Sequence, residues 1–113
     1  MLYCHSMKHA SPVIDPELLR AAAGKAVSAL KVLANKERLL LLCQLSQGEM
    51  CVSDLEQALN IHQPTLSQQL GVLRNEGVVR TRREGKSIFY SVADPSMLEI
   101  LALLYRLYCP REQ

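Results

Sequence analysis

The sequence predicts one mainly α-helical domain that carries a single small β-hairpin. Between residues 16 and 75, apolar residues recur at helical spacing, with polar or proline breaks between the segments. Two runs rich in β-branched or aromatic residues, 78–84 and 87–92, flank Gly85-Lys86 and indicate the hairpin. A last helical segment, 96–108, follows the Asp94-Pro95 break. We therefore expect the order α1-α2-α3-α4-β-β-α5.

Capping residues set the predicted limits of the first two helices. Asp15 is suited to cap a helix that starts at Pro16, because proline lacks the N–H that would stay unpaired there. Asn35 ends this helix and is expected to cap the second, which runs from Lys36 to about Ser46. Leucines leave the second helix almost no polar face, so it should be buried on most sides.

The third and fourth helices are predicted as a pair joined by a short turn. Ser53 and Glu56 form a Ser-x-x-Glu capping box, which indicates the start of a short third helix. The fourth helix is expected to begin at Gln63-Pro64 and to end near Asn75. On a helical wheel it has a polar face opposite a leucine face made by Leu66, Leu70 and Leu73.

Length and composition suit one compact domain in a reducing compartment. Of the 113 residues, 49% are hydrophobic, which is enough for a core. We expect a flexible tail over 1–14, one folded domain over 15–109 and a C-terminal tail over 110–113. No run approaches the roughly 20 apolar residues that span a bilayer, and the N-terminus lacks a secretory pattern. We expect a cytoplasmic protein with no membrane association, whose cysteines are kept reduced.

Charge and polar side chains are concentrated where a DNA-reading unit would need them. The chain has a formal charge of only +2, whereas residues 74–86 hold five basic and two acidic residues, a surplus of +3. Two short helices joined by 60–63 match a helix-turn-helix, whose second helix enters the major groove. The amide of Gln68 suits adenine, and the hairpin cations suit phosphates or the minor groove. A merely solvated polar surface is the alternative. The predicted DNA contacts are His62, Gln63, Thr65, Ser67, Gln68, Arg74, Arg82, Arg83 and Lys86.

The last helix predicts a homodimer. It is apolar around too much of its circumference for the core of one small subunit, so a second copy should cover part of it, together with part of the first helix. The predicted interface residues are Leu18, Leu19, Leu98, Leu101, Leu104, Tyr105 and Tyr108. A glycine-rich phosphate loop, a Ser-His-Asp set and a metal triad are all missing from the sequence, so we expect neither an enzyme nor a cofactor.

Two segments carry a family resemblance. LANKERLLLLCQL and VSDLEQALNIHQPTLSQQLGVLRNEGVVRTRREGKSIFYSV resemble the ArsR/SmtB family of winged-helix repressors, with a match over about residues 20–109. The resemblance implies a bacterial, homodimeric winged helix-turn-helix protein. It also implies binding to double-stranded DNA at an imperfect palindromic operator and release when an inducer arrives.

The chain lacks residues of the two metal sites that members of this family use for sensing. Arsenic- and cadmium-type members carry Cys-Val-Cys at the start of the third helix, where this chain has Cys51-Val52-Ser53 and so lacks one thiolate. Zinc and nickel sensors use Asp and His along the fifth helix, whereas residues 96–109 contain no His and only Glu99 as an acid. The resemblance therefore implies neither of these metal sites. Cys4, His5 and His9 form only a loose cluster in the tail, where no metal site is expected.

Cys43 and Cys109 carry a second resemblance within the family. Their contexts, LLLLCQL and LYRLYCP, are similar to the sulfide- and persulfide-responsive branch, which includes the biofilm growth-associated repressors. That resemblance implies that the two thiols lie near each other in one subunit. It also implies that a persulfide, a polysulfide or another oxidant joins them by a disulfide or sulfur chain and stops operator binding; a disulfide needs Cα atoms within about 7 Å. Simple burial of Cys43, a metal or metalloid response and thiol-independent regulation remain as alternatives.

Overall fold

The structure, a computed structural model, describes residues 14–110. The predicted class, helix order and hairpin are confirmed in this range. The larger part of each predicted tail, 1–13 and 111–113, lies outside it. The elements are α1 (Pro16–Leu33), α2 (Lys36–Leu45), β1 (Met50–Cys51), α3 (Val52–Leu59), α4 (Thr65–Asn75), β2 (Val79–Glu84), β3 (Ser87–Val92) and α5 (Pro95–Tyr108).

Side-chain caps fix the starts of three helices. The Asp15 carboxylate accepts the Glu17 N–H at 3.1 Å, and the Asn35 amide oxygen accepts the Arg38 N–H at 3.0 Å. Asp94 caps α5 in the same way, with Pro95 as its first residue. Each cap supplies a partner to an N–H that has none inside its helix. The predicted caps of α1 and α2 are therefore confirmed.

The predicted start of α3 is wrong by two residues, because the capping box placed the N-cap at Ser53 and the structure has it at Cys51. The helix begins at Val52, and its N-cap, Cys51, makes no side-chain capping bond. The Ser53 hydroxyl lies 3.5 Å from the Cys51 sulfur instead of capping the helix. The reason is that β1 brings the chain to Cys51 in an extended conformation, so the helix begins directly after the strand. α4 likewise begins one residue later than predicted, at Thr65.

The hairpin belongs to a three-stranded antiparallel sheet of order β1-β3-β2. β1 was not predicted, because two residues are too few to show strand alternation. Its Cys51 lies opposite Phe89 of β3, which in turn lies opposite Arg82 of β2. Alternation places Val79 and Tyr90 on the core face of the hairpin and Arg82 on the other face. We call the hairpin of β2 and β3 the wing.

The core lies between α2, α3, α4 and the sheet. The three leucines predicted to bury one face of α4 are all buried, which confirms that prediction. Burial of one leucine side chain contributes about 1.5–3 kcal/mol, so α4 is held firmly by one face while the other remains open. The buried side chains are Val32, Leu41, Leu42, Leu45, Leu55, Ile61, Leu66, Leu70, Leu73, Val78, Val79, Met97 and Leu101.

α1 buries much less of its surface, and α2 is buried on only part of its circumference. α1 buries only Val32, although it is the longest helix of the described residues. α2 buries three leucines but leaves Leu40 exposed, so the expectation that it is buried on most sides holds for only part of its circumference within one subunit. Within residues 14–110, no helix combines the length and the apolar character that a membrane crossing requires.

Candidate DNA-binding surface and thiol pair

α4 presents the polar face that its sequence predicted. Ser67, Gln68 and Arg74 are exposed on it, and Thr65 is half-buried near its first turn. The positive end of the helix dipole lies at the same end as Thr65 and Ser67, and favours an anion there. This arrangement suits a helix that approaches DNA with its N-terminal residues foremost.

Gln63 and Ser67 are bonded to each other at the start of α4. The Ser67 N–H donates to Gln63 Oε1 at 3.2 Å, and the Ser67 hydroxyl donates to the same atom at 2.6 Å. A backbone N–H is only a donor, so the atom that accepts it must be the carbonyl oxygen of the amide. The sequence predicted both residues as DNA contacts but not their pairing, which depends on how Gln63 folds back over the turn.

His62 connects the turn to α3. Its Nδ1 lies 3.3 Å from Oε2 of Glu56, and both side chains are partly open to solvent. The exposed position is compatible with the predicted DNA contact. The ring also has a structural contact that the sequence did not indicate.

Arg38 joins three helices, a role that sequence reasoning missed. Its Nε donates to the Val32 carbonyl at 2.7 Å and its Nη2 to the Lys31 carbonyl at 2.9 Å. These carbonyls lie in the last turn of α1, where carbonyls lack the N–H partner four residues on; the Lys31 carbonyl also accepts the Ala34 N–H at 3.3 Å. The Nη1 of Arg38 donates to Oε1 of Gln69 on α4 at 3.0 Å. Arg38 on α2 therefore fixes α4 relative to α1, and no local signal predicts a partner 31 residues away.

Arg82 is paired within the protein. Its Nε and Nη2 each donate to a Glu49 carboxylate oxygen at 2.9 Å, and its Nη1 donates to Glu84 at 2.9 Å. The guanidinium also lies 4.7 Å from the centre of the Phe89 ring. Hydrogen bonding to Arg82 lowers the pKa of Glu49, and the two carboxylates raise the pKa of Arg82. The surplus of +3 over residues 74–86 therefore overstates the charge open to DNA, because it omits Glu49.

The other two predicted wing contacts lie apart from Arg82. Arg83 is opposite Ile88 and so lies on the other face of the strand pair. Lys86, at the tip, lines an open groove of about 330 Å³ that reaches Cys51 and Glu56 at the start of α3. Both are exposed. The wing thus carries Arg82 and Arg83 on opposite faces.

Cys43 and Cys109 lie within electrostatic range of each other. Cys43 is half-buried on α2, and Cys109 is exposed at the end of α5, where its N–H donates to the Tyr105 carbonyl at 3.0 Å. Burial, and then the negative charge of Cys109, raise the pKa of the Cys43 thiol. Within the described range, Cys43, Cys51 and Cys109 are all free thiols. The fold therefore brings one sheltered and one open thiol into the same neighbourhood.

A metal site does not emerge from the part of the chain that is described. No three His, Cys, Asp or Glu side chains among residues 14–110 are grouped so that they could hold an ion. Cys4, His5 and His9, the loose cluster of the tail, lie outside these residues.

The predicted dimer-interface residues divide into an exposed group and one exception. Leu101 is only 2% exposed and packs beside Met97 in the core of its own subunit, so its assignment to the interface is wrong. It fails because α5 turns one face inward, at the spacing of Met97 and Leu101. The other six are open or partly open in the single subunit: Leu18, Leu19, Leu98, Leu104, Tyr105 and Tyr108.

Comparison with known proteins gives the family. A family model for bacterial regulatory proteins of the arsR family matches residues 35–81. The biofilm growth-associated repressor of Agrobacterium fabrum is 52% identical over 84 residues, which are 74% of this chain and 72% of that protein. The chain belongs to the ArsR family.

Solved ArsR-family structures agree with the fold. The repressor BigR from Xylella fastidiosa superposes with a TM-score of 0.79 at 42% identity, over 87% of this chain and 100% of that one. Reduced HlyU from Vibrio cholerae gives a TM-score of 0.79 at 38% identity, over 83% of this chain and 99% of that one. These relatives are transcriptional regulators, as expected for a chain that is not an enzyme. The winged helix-turn-helix prediction is confirmed, and the chain is a transcriptional repressor of this family.

Proposed function

We propose that this ArsR-family repressor binds operator DNA as a homodimer and leaves it when Cys43 and Cys109 of one subunit become linked. The observation that carries the proposal is the proximity of two free thiols, half-buried Cys43 on α2 and exposed Cys109 at the end of α5. Cys109 lies close enough to raise the pKa of Cys43. α2 packs against α4, and α5 carries the exposed apolar surface. A link between these cysteines would therefore connect the predicted dimer helix to the support of the DNA-reading helix.

The chemistry follows from ordinary thiol exchange. The open Cys109 thiolate attacks the outer sulfur of a persulfide R–S–SH, becomes a persulfide itself and releases the thiol R–SH. The Cys43 thiolate then attacks the sulfur of Cys109, forms the disulfide and expels hydrosulfide. Two protein thiols and one persulfide thus give one disulfide, one thiol and one hydrogen sulfide. Each sulfur inserted into a longer link consumes one further persulfide and releases one further thiol.

The homodimer is supported by the surface of one subunit. The exposed large apolar side chains of the outer helices include Leu18, Leu19, Val27 and Leu30 on α1 and Leu98, Leu103, Tyr105, Leu107 and Tyr108 on α5. Exposed apolar surface of this extent, divided between the first and the last helix, is typical of an association surface. A two-fold axis would also set the two copies of α4 at one fixed separation, as half-sites about one DNA turn apart require.

The relatives support the same proposal without testing it. BigR and the Agrobacterium fabrum protein are named as repressors, and a structure of HlyU is described as its reduced form. A description by redox state fits a regulator whose thiols change. In this chain the corresponding change would be the link between Cys43 and Cys109.

The proposal is tested by DNA binding before and after treatment with sodium tetrasulfide. The wild-type protein and a Cys51→Ser control are expected to dissociate from an operator duplex on treatment and to bind it again after reduction with dithiothreitol. Cys43→Ser, Cys109→Ser and the double variant are expected to bind before treatment and to stay bound after it. Release of the double variant by tetrasulfide would refute the thiol switch. Release of untreated wild-type protein by stoichiometric zinc, cadmium or arsenite would favour a metal-responsive repressor instead.

A further inference from the structure

We propose that Gln63 contacts a DNA phosphate through its NH₂ group alone and that Ser67 holds the amide in this orientation. The inference rests on the proposed DNA binding of α4. It assigns to each of the two residues a role that the general polar character of the surface does not specify.

The orientation follows from the hydrogen bonds of the Gln63 amide. Its Oε1 accepts both the Ser67 N–H and the Ser67 hydroxyl, at 3.2 and 2.6 Å. A carbonyl oxygen has two lone pairs, and these two donors use both. The NH₂ group is then the only part of the side chain left for a ligand, and it makes no hydrogen bond to the described residues. Gln63 is exposed, so this group is open to an approaching molecule.

This arrangement excludes one mode of base reading for Gln63. An amide that reads adenine bidentately needs its oxygen and its nitrogen free at the same time. Gln63 has only the nitrogen free. Gln68 is exposed and has no side-chain hydrogen bond among the described residues, so it keeps both groups for that task. Ser67 has donated its hydroxyl hydrogen to Gln63 and can offer DNA only lone pairs.

The position favours a phosphate as the acceptor. Gln63 precedes the first turn of α4, an 11-residue helix whose positive dipole end lies at that turn. Pro64 has no N–H, while the N–H groups of Leu66 and Gln68 are bonded to the His62 and Pro64 carbonyls. The Gln63 NH₂ group therefore supplies donors where the helix start has few of its own. Bonds to a charged oxygen are also stronger than bonds to a neutral base atom.

The test uses three variants and two DNA duplexes. One duplex is enriched by the wild-type protein from a randomised library, and the other is a scrambled sequence of the same composition. Gln63→Met removes the donors without adding charge. Gln63→Glu removes them but keeps an oxygen for Ser67, so its melting temperature should stay at or above that of the wild type. Gln57→Glu adds the same charge on an exposed position of α3.

The expected result is a uniform loss. Gln63→Met should weaken binding about tenfold per half-site, and Gln63→Glu by at least as much because its carboxylate also repels the phosphate. Each loss should be by the same factor on both duplexes, since a phosphate contact carries no sequence information. Gln57→Glu should lose less than Gln63→Glu. Adding Ser67→Ala to Gln63→Met should cost no further affinity, because the serine acts here through the glutamine.

Three results would overturn the inference. Wild-type affinity of Gln63→Met would show that the donors make no contact. A loss confined to the enriched duplex would make Gln63 a base reader. An equal loss in Gln57→Glu and Gln63→Glu, with none in Gln63→Met, would reduce the effect to charge. If the wild-type protein enriches no duplex from the library, the proposed function itself fails, and that outcome is separate from these three.

Discussion

α4 and α5 are both rich in leucine, but their leucines have different surroundings. In α4 all three leucines lie in the core, and Leu73 is completely buried. In α5 Leu98, Leu103 and Leu107 are 40%, 44% and 57% exposed. The helix that we propose to face DNA is thus fully supported within one subunit, whereas the last helix keeps much of its apolar surface open. The difference teaches that the core of one subunit is enough to hold α4 in position. A fixed separation between two copies of α4 requires a second subunit, for which the exposed surface of α5 is available.

Arg38 connects α4 to the end of α1. It bonds the end of α1, which is mostly exposed, to Gln69 on α4, which packs in the core region. A displacement of the end of α1 would therefore be transmitted to α4 through the Arg38 side chain. Cys43 of the thiol pair is on α2, the same helix as Arg38, and Cys109 directly follows α5.

The largest expected effect concerns the supported region. Leu73→Ala should lower the free energy of unfolding by about 2–5 kcal/mol, since it removes a fully buried side chain and leaves a cavity. Its neighbour Val72 is 37% exposed, and Val72→Ala should cost less than about 1 kcal/mol. Urea denaturation followed by circular dichroism measures both. Equal costs for the two variants would contradict the placement of Leu73 in the core and of Val72 on the exposed side of α4.

A second prediction concerns the open region. Leu98→Glu should leave the subunit folded but weaken the homodimer, because it puts a charge into the apolar face of α5. Binding to the enriched duplex should then fall about a hundredfold or more, since two linked reading units bind far more tightly than one. Sedimentation velocity and fluorescence anisotropy give the two quantities. Gln57→Glu is the charge control, and a dimeric, fully binding Leu98→Glu protein would show that the partner docks elsewhere.

A third prediction uses the Cys43 thiol. Burial is the larger of the two causes that raise the pKa of Cys43, and it persists when Cys109 is blocked as a mixed disulfide. At neutral pH the Cys43 thiol is therefore largely protonated, and only its thiolate attacks. Closure should therefore speed up about tenfold for each pH unit until the pH reaches that raised pKa. The measurement starts from protein that carries Ser at positions 4 and 51 and a glutathione mixed disulfide on Cys109, and follows glutathione release from pH 7 to 9. A rate that does not change with pH would contradict the raised pKa.

The sequence predicted what depends on local patterns. Apolar spacing, the Asp15 and Asn35 caps and the Gly85-Lys86 turn gave the helices and the hairpin nearly to the residue, because each signal lies within its own element. β1 was missed, since a two-residue strand exists only through its pairing with β3. The start of α3 was displaced for the same reason.

Site residues followed the same rule. The exposed face of α4 could be predicted from its helical wheel. The pairing of Arg82 with Glu49, the contact of Arg38 with Gln69 and the inward turn of Leu101 could not, because each depends on residues that only the folded chain brings together. The leucines of α5 show this: Leu101 lies on the side that packs in the core and is buried, whereas Leu98 lies on another side and is exposed.

The most direct test of the switch is the covalent state of protein that has left DNA. Wild-type protein is bound to the immobilised enriched duplex, eluted with sodium tetrasulfide, alkylated and measured by intact and peptide mass spectrometry. We predict that the eluted chains carry one link within a subunit that joins Cys43 to Cys109, either directly or through added sulfur, while the chains still bound carry both as free thiols. Eluted chains with Cys43 and Cys109 both alkylated, or linked only between subunits, would contradict the proposed mechanism.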